Sequence, residues 1–213
     1  HWKRMTQKTF PSTPDTNTPE GPILEHGLDL IFRDGVKGFT VETLAKDLAM
    51  SKKTIYKFFP SKEVLLGKIF QYITTIIAAK FQSILSLDIN PLDKFETAIN
   101  EIVKTINRVS ISKVGELKVR YPHIWREIEE FRLARREDFL TIFKEAQDQG
   151  YVRQNIDLEL TSIIFMQIIN DVFQPEFFIK NDIGVKDTLL TYREFFLRGI
   201  VTEKGLKHIE GKI

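Results

Sequence analysis

Apolar side chains recur at helical spacing along almost the whole chain, and the residues between them mark where one helix stops and the next begins. Val41, Leu44, Ala45 and Leu48 fall at i, i+3, i+4 and i+7, one buried stripe of a short helix. After Ser51 the stripe resumes with Ile55, Phe58 and Phe59. Thr40 and Ser51 each stand just before a stripe, where a hydroxyl accepts a bond from an unpaired N–H of the first turn. Pro60 ends that helix and Ser61 caps the next, which shows Val64, Leu65, Ile69, Ile73, Ile76, Ile77, Phe81 and Ile84. With a first helix from Ile23, this is the fourth. Asn90 and Pro91 open a fifth with a cap and a proline at the first helical position, followed by Leu92, Phe95, Ile99, Ile102, Ile106 and Val109. A sixth runs to Tyr121, where Pro122 interrupts. A seventh carries Ile128, Phe131, Phe139, Ile142, Phe143 and Ala146 and ends at Gly150. An eighth over residues 158–173 and a ninth over 189–201 complete an all-α chain without a convincing strand.

The last two helices are apolar around most of their circumference, and such a helix must be covered on all sides. One chain of this size covers one face with its own core; the other face needs a second copy, or else the helix lies deep within a monomer. The residues expected at a dimer interface are Ile164, Ile168, Phe173, Leu189, Phe196 and Ile200.

Charge sharpens the reading of the second and third helices. Lys52 and Tyr56, and likewise Lys53 and Lys57, sit four apart and share the face opposite Ile55 and Phe59. Most charged helix faces are simply solvated. Here seven lysines against three carboxylates lie between Lys37 and Lys68, a surplus of four in a chain whose net charge is only +2. A near-neutral protein that gathers its positive charge on one small helical unit is equipped to meet phosphate there. The whole segment reads as a helix-turn-helix whose second member is shaped for the DNA major groove.

From Ile23 to Leu66 the residues resemble the N-terminal domain of tetracycline-repressor-like (TetR family) transcriptional regulators. The likeness is carried by I-L-E-H-G-L-D-L-I-F-R-D-G, then F-T-V-E-T-L-A-K-D-L, then S-K-K-T-I-Y-K-F-F-P-S-K-E-V-L-L. It implies a three-helix DNA-binding domain over 22–66, followed over 67–213 by a larger helical domain for effector binding and dimerisation. The family places Gly two residues before the recognition-helix serine, and here that residue is Ala49. Ala49 either takes a left-handed backbone at about 1 kcal/mol or turns slightly differently. Lys53 stands where many relatives carry a small residue. By position, Thr40 and Lys62 would bond phosphates, Lys62 beside the positive end of the fourth helix. Lys52, Lys53 and Thr54 would approach base edges or nearby phosphates, and Tyr56 and Lys57 backbone phosphates. The resemblance also implies that the last two long helices pair with their symmetry mates, so that a homodimer meets a palindromic operator in double-stranded DNA. It further implies an effector cavity among the later helices. Phe81, Phe95, Tyr121, Trp125 and Phe165, with the polar Asn100, Gln167 and Asn170, are candidates to line it, or are ordinary core. An aromatic-rich, weakly charged interior favours a hydrophobic effector.

Composition excludes several other functions. Cysteine is absent, so there is no disulfide framework, thiolate metal site or cysteine nucleophile. The four histidines (His1, His26, His123 and His208) are widely spread, without an H-E-x-x-H arrangement, and no Gly-rich phosphate loop occurs. No enzyme, metal or cofactor is therefore expected. A helical carrier of hydrophobic compounds that keeps a vestigial DNA-binding unit is the competing reading. No run approaches the ~18 consecutive apolar residues of a membrane span, and no signal-peptide core precedes the first helix, which suggests a cytoplasmic protein without membrane association. Residues 1–21, with three prolines and many small polar residues, suggest disorder, or a basic arm at Lys3, Arg4 and Lys8.

Overall fold

The computed structural model describes residues 18–106, 108 and 111–211. Lys3, Arg4, Lys8 and nearly all of the segment expected to be disordered lie outside the described residues. Among these there are twelve α-helices and no strand, only an isolated antiparallel bridge between Val152 and Val201. The helices are α1 (Gly21–Gly38), α2 (Val41–Asp47), α3 (Lys52–Phe58), α4 (Lys62–Leu85), α5 (Pro91–Ile106) and α6 (Ile111–Arg120). They continue as α7 (Pro122–Ala134), α8 (Arg136–Asp148), α9 (Leu158–Val172), α10 (Pro175–Asn181), α11 (Val185–Ile200) and α12 (Glu203–Glu210).

Contacts divide the chain into two compact units, and each draws on more than one stretch of sequence. The first comprises the chain through Lys80 together with Arg108–Glu130; the second comprises Phe81–Asn107 and Phe131–Ile213. In the first unit Ile23, Leu30, Leu44, Ile55, Leu66 and Ile69 form a core with almost no exposure, joined by Leu117, Ile124 and Trp125 from α6 and α7. Gly27 sets the approach of α1 to α4, since a Cβ there would meet the Ile69 side chain at 2.6 Å. Near its C-terminus α1 is interrupted by Gly35, whose φ of 75° suits a residue without a Cβ. The side chain of Lys113 lies over that glycine, and its ammonium donates to the carbonyl of Arg33. α4 is long and apolar enough, by length and composition, to cross a membrane; in this fold it supplies Leu65, Leu66, Ile69 and Tyr72 to the core.

The second unit is built on stacked and edge-on aromatic rings. Phe165 lies 4.9 Å from Phe139, 4.5 Å from Phe196 and 5.4 Å from Tyr192, centroid to centroid, and 5.8 Å from Phe95. Such pairs add to the free energy of burying each ring. Two ion pairs are taken out of water here. The Lys94 ammonium donates to Glu145 at 2.8 Å and to the Leu85 carbonyl at 3.1 Å. Arg135 meets Asp138 at 3.0 Å, and burial pushes the Asp138 carboxyl above its ordinary range even with that partner.

The helix count departs from the periodic pattern in three places. The single seventh helix is two, α7 and α8, because the chain tightens at Arg135 into i→i+3 bonds, Arg135 N to Arg132 O and Asp138 N to Arg135 O, both 3.1 Å. The proline at position 122 opens α7 rather than only ending α6. Two short helices, α10 and α12, are additional. Pro175 begins α10, and the Thr202 hydroxyl caps α12 by accepting from Gly205 N at 3.2 Å. Gly150 ends the α8 segment with φ 75°, the left-handed turn expected of it.

Candidate nucleic-acid interface

α2 and α3 are both capped by their own sequence. Thr40, in extended backbone, accepts from Thr43 N at 3.0 Å; Ser51 does the same for Thr54 N at 3.0 Å. Between the helices Met50 N reaches back to the Ala45 carbonyl at 2.8 Å and Ala49 N to the Lys46 carbonyl at 3.1 Å. This closure requires a left-handed residue, and Ala49 supplies it with φ 52°. Of the two possibilities for this turn, the chain takes the left-handed backbone and carries the steric strain of a Cβ.

With the turn fixed, one side of α3 goes inward. Ile55 is fully buried and Phe59 nearly so, while Lys52, Lys53, Tyr56 and Lys57 are all exposed. Tyr56 keeps 42% of its surface, so its ring is open to a partner. Thr54 is half-buried, its hydroxyl 2.8 Å from that of Ser51. Lys52 is not a loose cation: its ammonium donates to Glu42, in the first turn of α2, at 2.7 Å. Lys62 is the most constrained of the seven residues. Its ammonium donates to the Phe39 carbonyl at 2.5 Å, lies 5.6 Å from the centre of the Phe39 ring, and is held below its usual pKa by burial. The neighbouring charge of Arg120 acts in the same direction. Glu42 has no special place in the sequence pattern, because only the folded turn brings α2's first residues beside α3's.

The expected pocket residues are divided between the two units. Phe81, Phe95 and Phe165 are buried in the aromatic core of the second unit. Tyr121 and Trp125 belong to the first unit, where the Trp125 indole donates to Glu129 at 2.9 Å. Asn100 is exposed, and so is Gln167, whose amide donates to Asp171 at 2.9 Å. Asn170 is half-buried with its Oδ1 shielded from solvent and without a hydrogen-bond partner.

Among the expected dimer residues, Leu189 and Ile200 turn into the chain's own core, at 1% and 6% exposure, and Phe196 stacks in the aromatic cluster. Phe173 packs against Phe178 at 5.6 Å, Ile168 is half-buried, and Ile164 faces outward. The outward apolar positions of α9 and α11 are Leu160, Ile163, Ile164 and Phe195, the last with 75% of its surface free. A helix apolar all round does not disclose from its sequence which side its own core takes.

Three of the histidines lie against carboxylates: His26 on Asp47 at 3.1 Å, His123 on Glu63 at 3.2 Å and His208 on Asp93 at 2.8 Å. No group of three or more metal-ligating side chains occurs among the described residues.

Residues 23–69 match the family model described as bacterial regulatory proteins, tetR family. Over 183 residues the chain is 24% identical to the uncharacterized HTH-type transcriptional regulator YvaF of Bacillus subtilis (strain 168), covering 85% of this chain and 95% of that protein. Its fold is similar to the crystal structure of a transcriptional regulator from Cytophaga hutchinsonii, with a TM-score of 0.66 at 16% identity over 84% of this chain and 97% of that one. The fatty acid degradation regulator FadR from Bacillus halodurans is also similar, with a TM-score of 0.61 at 17% identity over 85% and 96% of the two chains.

Proposed function

We propose, from the premise that this chain is a TetR-family transcriptional regulator, that it binds a palindromic operator as a homodimer in the cytoplasm, represses transcription there, and is released by a small hydrophobic effector. The observation that carries this reading is the exposed row Lys52, Lys53, Tyr56 and Lys57 on a capped helix anchored by Ile55. Lys52, Lys53 and Thr54 stand at the N-terminal end of α3, the end that a recognition helix directs at base edges. Tyr56 and Lys57, one turn on, suit phosphates, and so does Thr40 at the start of α2. Lys62 joins them by exchanging the Phe39 carbonyl for a phosphate.

Residues 22–66 carry the DNA-binding work and 67–213 the effector and dimer contacts. A hydrophobic effector fits the aromatic interior of the second unit, with the unpartnered Oδ1 of Asn170 as a polar anchor. The likeness to a protein described as a fatty acid degradation regulator is in keeping with that chemistry. α4 contributes to both units, so an effector that prefers one pose of α4 would shift the recognition helices and weaken operator binding. No step in this scheme requires catalysis.

Selecting bound duplexes from a random pool tests the reading without knowledge of the effector. The expected product is an inverted repeat whose half-sites lie about 34–36 Å apart. Lys52→Ala and Tyr56→Ala should each weaken binding to it by about 5- to 100-fold, with helix content and oligomeric state unchanged. Full binding by both variants would remove these residues from the interface. A protein that enriches no duplex at any salt concentration would favour the carrier instead.

A further inference from the structure

Glu42 is an acidic side chain in the lysine-rich helix-turn-helix, and it lies in contact with one of those lysines, Lys52. Its position is set by α2 itself. It occupies the first helical turn after the Thr40 cap, where the helix dipole favours a carboxylate, and Val41 and Leu44 bury the other side of that turn. The ten-residue separation between Glu42 and Lys52 is bridged by the left-handed turn at Ala49, which brings carboxylate and ammonium to 2.7 Å. Both side chains remain more than half exposed, at 65% and 53%. They are therefore accessible to a third charged group. The Glu42 carboxyl lies below its ordinary range because Lys52 donates to it, with Lys62 adding a weaker attraction.

We propose that Glu42 sets the margin between operator and random duplex by holding the ammonium of Lys52 as an internal stand-in for a DNA phosphate. The proposal rests on the DNA-binding reading of α3 and adds a specificity-determining residue to it. A carboxylate and a phosphate oxygen are equivalent acceptors for an ammonium, so Lys52 gains little by exchanging one for the other. On random DNA the recognition helix is not seated, Lys52 stays with Glu42, and one potential phosphate contact is withheld from the non-specific complex. On the operator, contacts made by the rest of α3 seat the helix and bring a fixed acceptor to Lys52, which then leaves Glu42. Non-specific binding is almost wholly electrostatic, so a withheld cation weakens it more than it weakens operator binding.

Glu42→Gln tests this, since the amide keeps the shape and removes the charge. Wild type, Glu42→Gln, Lys52→Ala and the double variant are titrated with the selected operator and with a random duplex of equal length across a salt series. Binding of random duplex by Glu42→Gln should tighten about fivefold, and its slope against log salt should steepen by about 0.9. Operator affinity should rise less, so that the ratio between the two falls, and Lys52→Ala should abolish the gain on random DNA. The proposal is overturned if random-duplex affinity is unchanged or reduced, if both duplexes gain equally, or if the gain survives in the double variant. Wild-type protein that binds neither duplex would instead remove the DNA-binding function itself, which this arm reads separately.

Discussion

Ala49 shows how one methyl group can work against a turn that is otherwise well specified. Its φ of 52° lies in the left-handed region, which costs an L-residue with a Cβ about 1–2 kcal/mol. Glycine would remove that strain but add about 0.4–1 kcal/mol of chain entropy to the unfolded state. The strain is the larger effect, so Ala49→Gly should stabilise the protein by about 0.5–1 kcal/mol, read as a higher urea midpoint at unchanged slope. Operator affinity should stay within about twofold, because the turn already has the shape that glycine favours. A lower midpoint would mean that the Ala49 methyl makes contacts worth more than the strain.

At the level of elements, α9 and α11 each present one apolar side to their own core and leave another uncovered. Leu160, Ile163 and Ile164 on α9, and Phe195 on α11, form the exposed set. If a homodimer forms there, an aspartate at its centre must either be buried without a partner or keep the copies apart. Ile164→Asp and Phe195→Asp should each shift the protein toward monomer by sedimentation, while leaving thermal unfolding of the monomer near wild type. Leu189→Asp would unfold the chain instead, since that side chain is 1% exposed. The helix-turn-helix was legible because its signals are local: a stripe at helical spacing, a hydroxyl at each cap, a proline after Phe59. The break at Arg135 was not, because neither glycine nor proline marks it and the apolar period runs straight through. Nor were the inward sides of α9 and α11, where apolar residues occupy nearly every direction and only the packed fold selects among them. α10, whose apolar Phe177, Phe178 and Ile179 are consecutive, and α12, with only Leu206 and Ile209, carry no apolar stripe at helical spacing to mark them.

Across the whole molecule, the all-helical class followed from periodicity alone, whereas the route of the chain did not. α6 and most of α7 return to the first unit, and Leu117, Ile124 and Trp125 enter the same buried cluster as Ile23 and Leu44. No nearby residue signals so long a return. The interleaving has a practical outcome for anyone who would cut or recombine this protein. A fragment ending at Lys80 would contain α1, α2, α3 and most of α4, yet leave open the slot that an indole and two aliphatic side chains fill from about forty positions downstream. It should be sticky and prone to precipitate. Exchanging operator preference with a relative therefore calls for grafting α2 and α3 alone, or for transplanting 108–130 along with the N-terminal stretch so that each hybrid inherits a matched lid.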